Sequence, residues 1–282
     1  MNKQNHTLAM ERVSFKYPRG RRMILQNVSA EFVSGKLYTV EGESGAGKST
    51  LLTLLAGLAA PTSGEILADG QPIRLLGKKQ AAKDGGAASG EAPASGDASA
   101  SGDAPASGDA PASGDAEGGR ETEKGSAKAP RSVTGLTLYR RCWAAAVPQA
   151  NLLFEGRTVM ENVLYPMLLK GVDPEEAKER ARGYLQDVHL DEELYDHFPS
   201  QCSGGEQKRV AFARAMGLDN PILLADEPTA NLDKCTSAIL SEILRMLASE
   251  RGRLVLAVTH DAVIPSLADK RFFLRAGVLE EE

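Results

Sequence analysis

Short runs of consecutive apolar residues, each ending in a polar or glycine-rich turn, dominate the pattern along this chain. Leu37-Tyr38-Thr39-Val40, Ile222-Leu223-Leu224-Ala225 and Leu254-Val255-Leu256-Ala257-Val258 are of strand length and lack polar alternation. Such runs read as strands buried on both faces, the habit of parallel sheets. A short apolar helix is expected over Leu51–Leu55, after the glycine-rich turn that ends the first run. Glu65–Ala68, then Asp69-Gly70, then Gln71–Ile73 reads as a β-hairpin around an Asp-Gly turn. Asp173-Pro174-Glu175-Glu176 opens a helix, with a capping residue, proline at the first position and a capping-box glutamate. Leu152-Leu153-Phe154 and Val163–Leu169 are dense in large apolar groups and are expected to form the core of a helical lobe, roughly residues 150–205.

The pattern breaks down between Gly77 and Ser132. Ser-Gly-Asp recurs from Ser95, Ser101, Ser107 and Ser113, with a degraded copy, Ser89-Gly90-Glu91, in phase. A hexapeptide β-helix needs an aliphatic residue to bury on each turn, and these repeats offer only Ala, Pro, Ser, Gly and Asp. Burial cannot offset ordering entropy there, so residues 77–131 are expected to be a disordered insert in a single domain spanning 1–282. The insert leaves the edge of the small antiparallel hairpin.

Composition narrows the classes. The chain has 282 residues, 42% hydrophobic and 25% charged, as in ordinary soluble domains. A net charge of −5 argues against a nucleic-acid partner. The start, MNKQNHTLAMERV, has no apolar centre and does not read as a secretory signal. The longest apolar stretch, Leu51–Ala60, is about half of a membrane span and is interrupted by Thr53 and Gly57, so no crossing is expected. Cys142, Cys202 and Cys235 have no metal or redox spacing and read as free thiols of a reducing cytoplasm. His6, His189 and His197 have no chemical context and read as surface residues.

Three segments carry chemistry. Gly42-Glu43-Ser44-Gly45-Ala46-Gly47-Lys48-Ser49-Thr50 matches GxxxxGK(S/T) between a strand and a helix. Its glycines let backbone N–H groups curl around phosphates, Lys48 can reach the β- and γ-phosphates, and Ser49 can ligate Mg²⁺. This pattern alone does not separate an ATPase from a GTPase or a kinase. Ile222–Ala225 ends at Asp226-Glu227-Pro228; as a parallel strand beside the P-loop strand it would put Asp226 near Mg²⁺ and Glu227 where a water attacks. His260 follows the third strand, where open α/β sheets bind ligands. Ser203 and Glu206 form a capping box at a helix start, and the same turn offers free N–H groups to a phosphate.

Taken together, Ser203-Gly204-Gly205-Glu206-Gln207, the P-loop and the Asp-Glu strand resemble the motifs of ABC ATPases across nearly the whole chain outside the insert. The resemblance implies an α/β P-loop NTPase core, mostly a parallel sheet flanked by helices, with a small antiparallel β subdomain and a helical signature lobe. It further implies that Tyr17 stacks on adenine, that Gln149 touches Mg²⁺ and relays to the partner, that Asn231-Leu232-Asp233 is the D-loop and that His260 is the switch histidine. Cys202 departs from the usual leucine before the signature serine, and Glu206 from a commoner glutamine. Cys202 reads as a packing change, Glu206 as a frequent variant, and neither touches the catalytic set.

The resemblance also implies function. ATP bound by the P-loop of one subunit, with Mg²⁺, is covered by the signature of another, giving a head-to-tail dimer opened by hydrolysis. The output is expected to drive a separately encoded integral membrane permease, with the chain peripheral on the inner face of the cell membrane. Glu161-Asn162-Val163-Leu164-Tyr165-Pro166 is similar to the lipoprotein-release and macrolide-export branch. The alternatives are a non-transport ABC ATPase that signals to or remodels a cell-envelope or soluble partner, and an ATP-binding scaffold without turnover. The presence of Glu227, Lys48 and His260 opposes the scaffold.

Overall fold

The computed structural model describes residues 5–20, 22–76, 134–261 and 263–282. The repeat segment expected to be disordered, 77–131, lies outside the described residues.

Two sheets organise these residues. The first has four antiparallel strands in the order β2-β1-β4-β5, where β1 is Thr7–Phe15, β2 Leu25–Val33, β4 Ser63–Ala68 and β5 Gln71–Pro72. The expected hairpin is its β4–β5 edge, with Leu67 opposite Pro72 and Ala68 opposite Gln71. Asp69 and Gly70 both have positive φ, as a type I′ turn requires.

The second sheet has six strands in the order β10-β9-β3-β8-β7-β6. These are β3 Leu37–Glu41, β6 Ala144–Val147, β7 Ile222–Asp226, β8 Leu254–Val258, β9 Lys270–Arg275 and β10 Val278–Glu281. Every pairing from β9 through β3, β8 and β7 to β6 is parallel, and only β10 runs antiparallel. The expectation that β7 lies beside β3 is corrected: β8 stands between them. The connections from β3 to β7 and from β7 to β8 are both long crossovers, which leave strand neighbours free of chain order.

Unbroken apolar runs are explained by burial on both sides. Leu223, Ala225, Val255 and Ala257 face one core with the helices, while Ile222, Leu224, Leu254, Leu256 and Val258 face the other with the four-stranded sheet. Helix α1, Lys48–Leu55, packs in the second core. It begins three residues earlier than the apolar run suggests, because Lys48 and Ser49 form its first turn. After the insert come α2, Gly135–Cys142; α3, Val159–Leu169; α4, Pro174–Asp187; and α5, Gly204–Gly217. Helix α6, Lys234–Ser249, and the short α7, Val263–Leu267, complete the chain. In α4, Asp173 accepts from Glu175 N and Glu176 N as expected of its cap, but the expected capping box is not closed, because the Glu176 carboxylate pairs with Arg180 one turn on. Helix α3 continues through Pro166 and is started by Thr158 and Glu161, a second capping box legible in the sequence. Cys202 is buried in the helical core, and all three cysteines are free thiols. His6 and His197 are half-buried rather than on the surface; His6 meets Asp69 at 2.9 Å and the edge of Trp143, while His189 is exposed.

The two ends flanking the insert meet. Gly135 at the start of α2 lies against the backbone of Ile73 and Arg74, with no room for a methyl group. Tyr139, fully buried one turn on, donates to the Leu55 carbonyl at 2.7 Å, and burial pushes its phenol pKa well up.

Two predictions follow from this packing. Gly135→Ala should cost about 2 kcal/mol, since the methyl overlaps backbone that must shift. Gly183→Ala in α4, where the methyl meets nothing, should instead stabilise by roughly 0.5–1 kcal/mol; thermal melts of both variants read the contrast directly. Because the flanks already touch, replacing residues 77–131 with a short Gly-Ser linker should leave the melting temperature nearly unchanged, loop closure depending weakly on length. A large drop would show that the segment contributes to the fold.

Candidate nucleotide and catalytic site

A cavity of about 750 Å³ opens at the carboxyl ends of β3, β7 and β8. Its lining includes Gly42, Glu43, Ser44, Gly45, Gly47, Lys48, Ser49 and Thr50, together with Gln149, Glu227 and His260. With Ile24, residues from five separate stretches of sequence thus meet in one place.

The loop between β3 and α1 holds its shape through backbone geometry. Gly42 has φ +154°, and a methyl there would run into the Leu274 carbonyl of β9. Gly47, at φ +106°, precedes α1 with no side-chain cap, so first-turn N–H groups stay available to an anion. Lys48 Nζ donates to the carbonyls of Gly42 at 2.8 Å and Glu43 at 3.2 Å, lying along the loop it follows.

Register supplies the second half. Asp226 is opposite Val258 in the β7–β8 ladder, and Glu227 N donates to the Val258 carbonyl at 2.9 Å. Glu227 is a non-glycine residue at φ +45°, a conformation that costs energy and concentrates at functional sites. Its carboxylate is only 13% exposed and meets His260 Nδ1 at 2.7 Å, while His260 N also donates to it at 3.3 Å. The imidazole itself is 68% exposed, facing the cavity. Ser49 Oγ, in the first turn of α1, donates to Asp226 Oδ1 at 3.3 Å, although β8 stands between β3 and β7. Burial raises the Asp226 pKa, opposed by the Ser49 hydrogen bond.

Ser49 and Asp226 offer hard oxygen donors side by side, which suit a Mg²⁺ ion that also takes phosphate oxygens and water. Among the described residues no group of three or more His, Cys, Asp or Glu could hold a metal alone.

Other predicted residues lie apart from this cavity. Ala46 sits on the outer side of the loop, lining a separate cleft with Phe273 and Arg275. Tyr17 is half-exposed; its hydroxyl meets Thr50 Oγ1 at 3.1 Å and its ring packs edge-on against Phe15. Ser203–Gln207 open α5: Ser203 accepts from Glu206 N, and the Glu206 carboxylate accepts from Ser203 N at 2.7 Å. Gln207 donates to the carbonyls of Pro199 and Cys202. Asn231 has φ +62°, and Asp233 caps α6 through Cys235 N and Thr236 N. Thr236 donates to the Asp233 carboxylate, which lowers its pKa.

Two residues escaped the sequence reading. Ile24 lines the cavity beside Gly47 and carries no local signal. Lys208 is 3% exposed on α5, and its ammonium donates to the carbonyls of Pro148 at 3.0 Å and Gln149 at 2.9 Å. Burial lowers its pKa. Its signal was available: Lys208 continues the buried stripe Ala211, Phe212, Ala215, so a cation there needs interior partners. Lys208→Met should therefore cost about 1–3 kcal/mol, the toll for two carbonyls losing their donor. Amide exchange between Val147 and Leu152 should quicken in the variant; unchanged protection would show that the clamp is dispensable.

Comparison with known proteins agrees with this geometry. Residues 25–93 and 123–230 match the family model described as ABC transporter. The lipoprotein-releasing system ATP-binding protein LolD of Treponema denticola is 31% identical over 259 residues, 92% of this chain and 90% of the relative. The ABC transporter ATP-binding protein YtrE of Bacillus subtilis is 30% identical, covering 91% and 87%. The dimeric structure of MJ0796, a bacterial ABC transporter cassette, superposes with TM-score 0.72 at 28% identity, covering 98% of this chain and 97% of that one. A second MJ0796 structure, a post-hydrolysis state bound to ADP and Pi, superposes equally well. LolD agrees with the branch that Glu161–Pro166 resembles. With its P-loop, Asp-Glu strand end and signature turn on this fold, the chain belongs to the ABC transporter family, as one of its ATP-binding ATPase cassettes.

Proposed function

We propose that two copies of this cassette close head-to-tail on ATP and that their opening after hydrolysis drives a separately encoded membrane permease. The observation that carries the reading is the meeting of Lys48, Ser49, Gln149, Glu227 and His260 on one cavity, with Ser203–Gln207 outside it. A signature outside its own chain's cavity suits service to a partner's site, and the dimeric MJ0796 cassette supports that arrangement.

In this mechanism the backbone of Gly42–Thr50 cradles the phosphates and Lys48 moves from the loop carbonyls to the β- and γ-oxygens. Tyr17 stacks on adenine. Ser49, Asp226 and Gln149 would hold Mg²⁺, which would supply charge neutralisation at the phosphates. Glu227 orients a water and takes its proton as the water attacks the γ-phosphorus. His260 holds that carboxylate through its present 2.7 Å contact and touches the γ-phosphate. Ser203, Gly204 and Gly205 of the partner copy cover the same phosphate, with Glu206 and Gln207 shaping that turn, and Asn231, Leu232 and Asp233 line the seam between copies.

Transport requires a docking place, and an apolar groove beside the helices suits that role. A groove of about 670 Å³ lies between α2, α3 and α5, with Leu152, Phe154 and Leu169 on it. These three side chains are 44–67% exposed, an apolar patch of the kind that marks an interaction surface. No helix among the described residues is long and apolar enough to cross a membrane.

Glu227→Gln should keep ATP affinity, trap a dimer in gel filtration with ATP, and lower phosphate release by roughly 10²-fold or more. Unchanged phosphate release would refute the role of Glu227. Membrane fractions passed over the ATP-loaded variant should yield one polytopic protein; recovery of soluble proteins alone would favour a non-transport ATPase.

A further inference from the structure

The apolar groove between α2, α3 and α5 has a charge pattern that its apolar character does not require. Arg140, Arg141, Lys170 and Arg214 line it, and among the described residues no acidic one does. Arg157 adds a fifth cation beside it, stacked 5.0 Å over the Tyr165 ring. Among the described residues none of the five is paired with a carboxylate, although Arg74, Arg180, Arg245, Arg251, Arg253, Arg271 and Arg275 all are.

What holds these cations is neutral. Arg140 donates to the Gly57 carbonyl at 2.6 Å, and Arg214 to the Leu152 carbonyl at 2.8 Å while lying over the Phe154 ring. Lys170 donates to Asn220 Oδ1 at 2.7 Å and to the Leu218 carbonyl. Carbonyls and ring faces hold Arg140 and Arg214 without cancelling their charge, whereas Lys170 also feels the Asp219 carboxylate. Arg141 is exposed and makes no such contact among the described residues.

The apolar floor is equally fixed. Asn162, fully buried in α3, accepts from Phe154 N at 2.8 Å and donates to the carbonyls of Phe154, Arg157 and Thr158. One side chain thereby sets both an aromatic wall and the loop bearing Arg157. A cleft of one charge sign with low-dielectric walls concentrates the opposite sign. Four cations held around exposed apolar side chains fit a segment carrying both properties.

We propose that the segment of the membrane partner seated in this groove is amphipathic and acidic, its apolar side chains on Leu152, Phe154 and Leu169 and its carboxylates against Arg141, Arg140, Lys170 and Arg214. The proposal rests on the docking reading above and adds the chemistry of the occupant. Charge then selects among permeases: a cytoplasmic segment of neutral or basic character leaves the cations unmatched and is rejected.

The test uses the full chain carrying Glu227→Gln, loaded with ATP, and the polytopic protein it recovers from detergent-solubilised membranes as the probe. Arg141 is replaced by Lys, Gln and Glu, positions of the fold being untouched because its side chain is exposed. Apparent Kd should stay within about twofold for Lys, weaken for Gln, and weaken about fivefold or more for Glu. The difference between Arg and Glu should shrink as salt is raised toward about 0.5 M. Equal affinity across the series, or tighter binding by Glu, overturns the acidic occupant. Leu169→Ser separates the two claims: if it weakens capture while the charge series stays flat, docking stands and only the acidic chemistry fails. If neither changes capture, the groove is not the docking place. Repeating the series with residues 77–131 deleted distinguishes a third source of carboxylates. Loss of the charge dependence in that chain would place the chain's own Ser-Gly-Asp acids against Arg141 and overturn the proposal.

Discussion

The parallel register of β3, β8 and β7 is the constraint on which the candidate site depends. Backbone pairing of Val40 with Val258, and of Val258 with Asp226, brings three strand ends level. From that common edge the chain turns into the P-loop, Asp226-Glu227 and His260. Neither a salt bridge nor a metal cluster is needed to assemble them; a ladder whose strands are buried on both faces does so. Slipping β8 by one residue would exchange Leu254 and Leu256 with Val255 and Ala257 between the two cores. That exchange would overpack one core and leave voids in the other, so packing enforces the register that chemistry needs.

Distance from the sheet edge is bridged by a few buried polar side chains. Lys208 ties the helix that begins at the signature turn to the backbone of Gln149, so a shift in either is felt by the other. Asn162 ties the loop after Gln149 to α3, where the apolar groove lies. The two clamps sit in one helical core, and each satisfies carbonyls that would otherwise be costly to bury. Lys208 thus holds the backbone at the nucleotide cavity, and Asn162 holds the backbone at the groove. Energetic coupling between the two is a matter for paired substitutions rather than proximity.

Much of the site was legible because its motifs are local. A loop that curls around phosphates must place glycines, lysine and serine at fixed spacing on adjacent residues, so Gly42–Thr50 announces itself. Helix starts at Asp173 and Ser203 are equally local, since a cap is a contact across three residues. The hairpin at Asp69-Gly70 was readable because positive φ at two successive positions restricts residue type. By contrast, β8 lying between β3 and β7 leaves no local trace. Parallel strands joined by long crossovers can be ordered in several ways with the same apolar runs. The half-buried state of His6 was hidden likewise, because Asp69 and Trp143 are distant in sequence.

The amino-acid sequence by itself determined which chemistry is present: a phosphate loop, an acidic strand end, a signature turn and a histidine, each written in a few contiguous residues. It also determined that strands would be buried on both faces, because their apolar runs do not alternate. Only the tertiary structure decided that Glu227 meets His260 at 2.7 Å, that Lys208 has the Gln149 carbonyl as its partner, and that Arg140, Arg141, Lys170 and Arg214 gather around Phe154 and Leu169. Contacts of this kind join segments tens to hundreds of residues apart. They arise from sheet order and helix packing, which the whole core sets at once rather than any stretch of sequence alone.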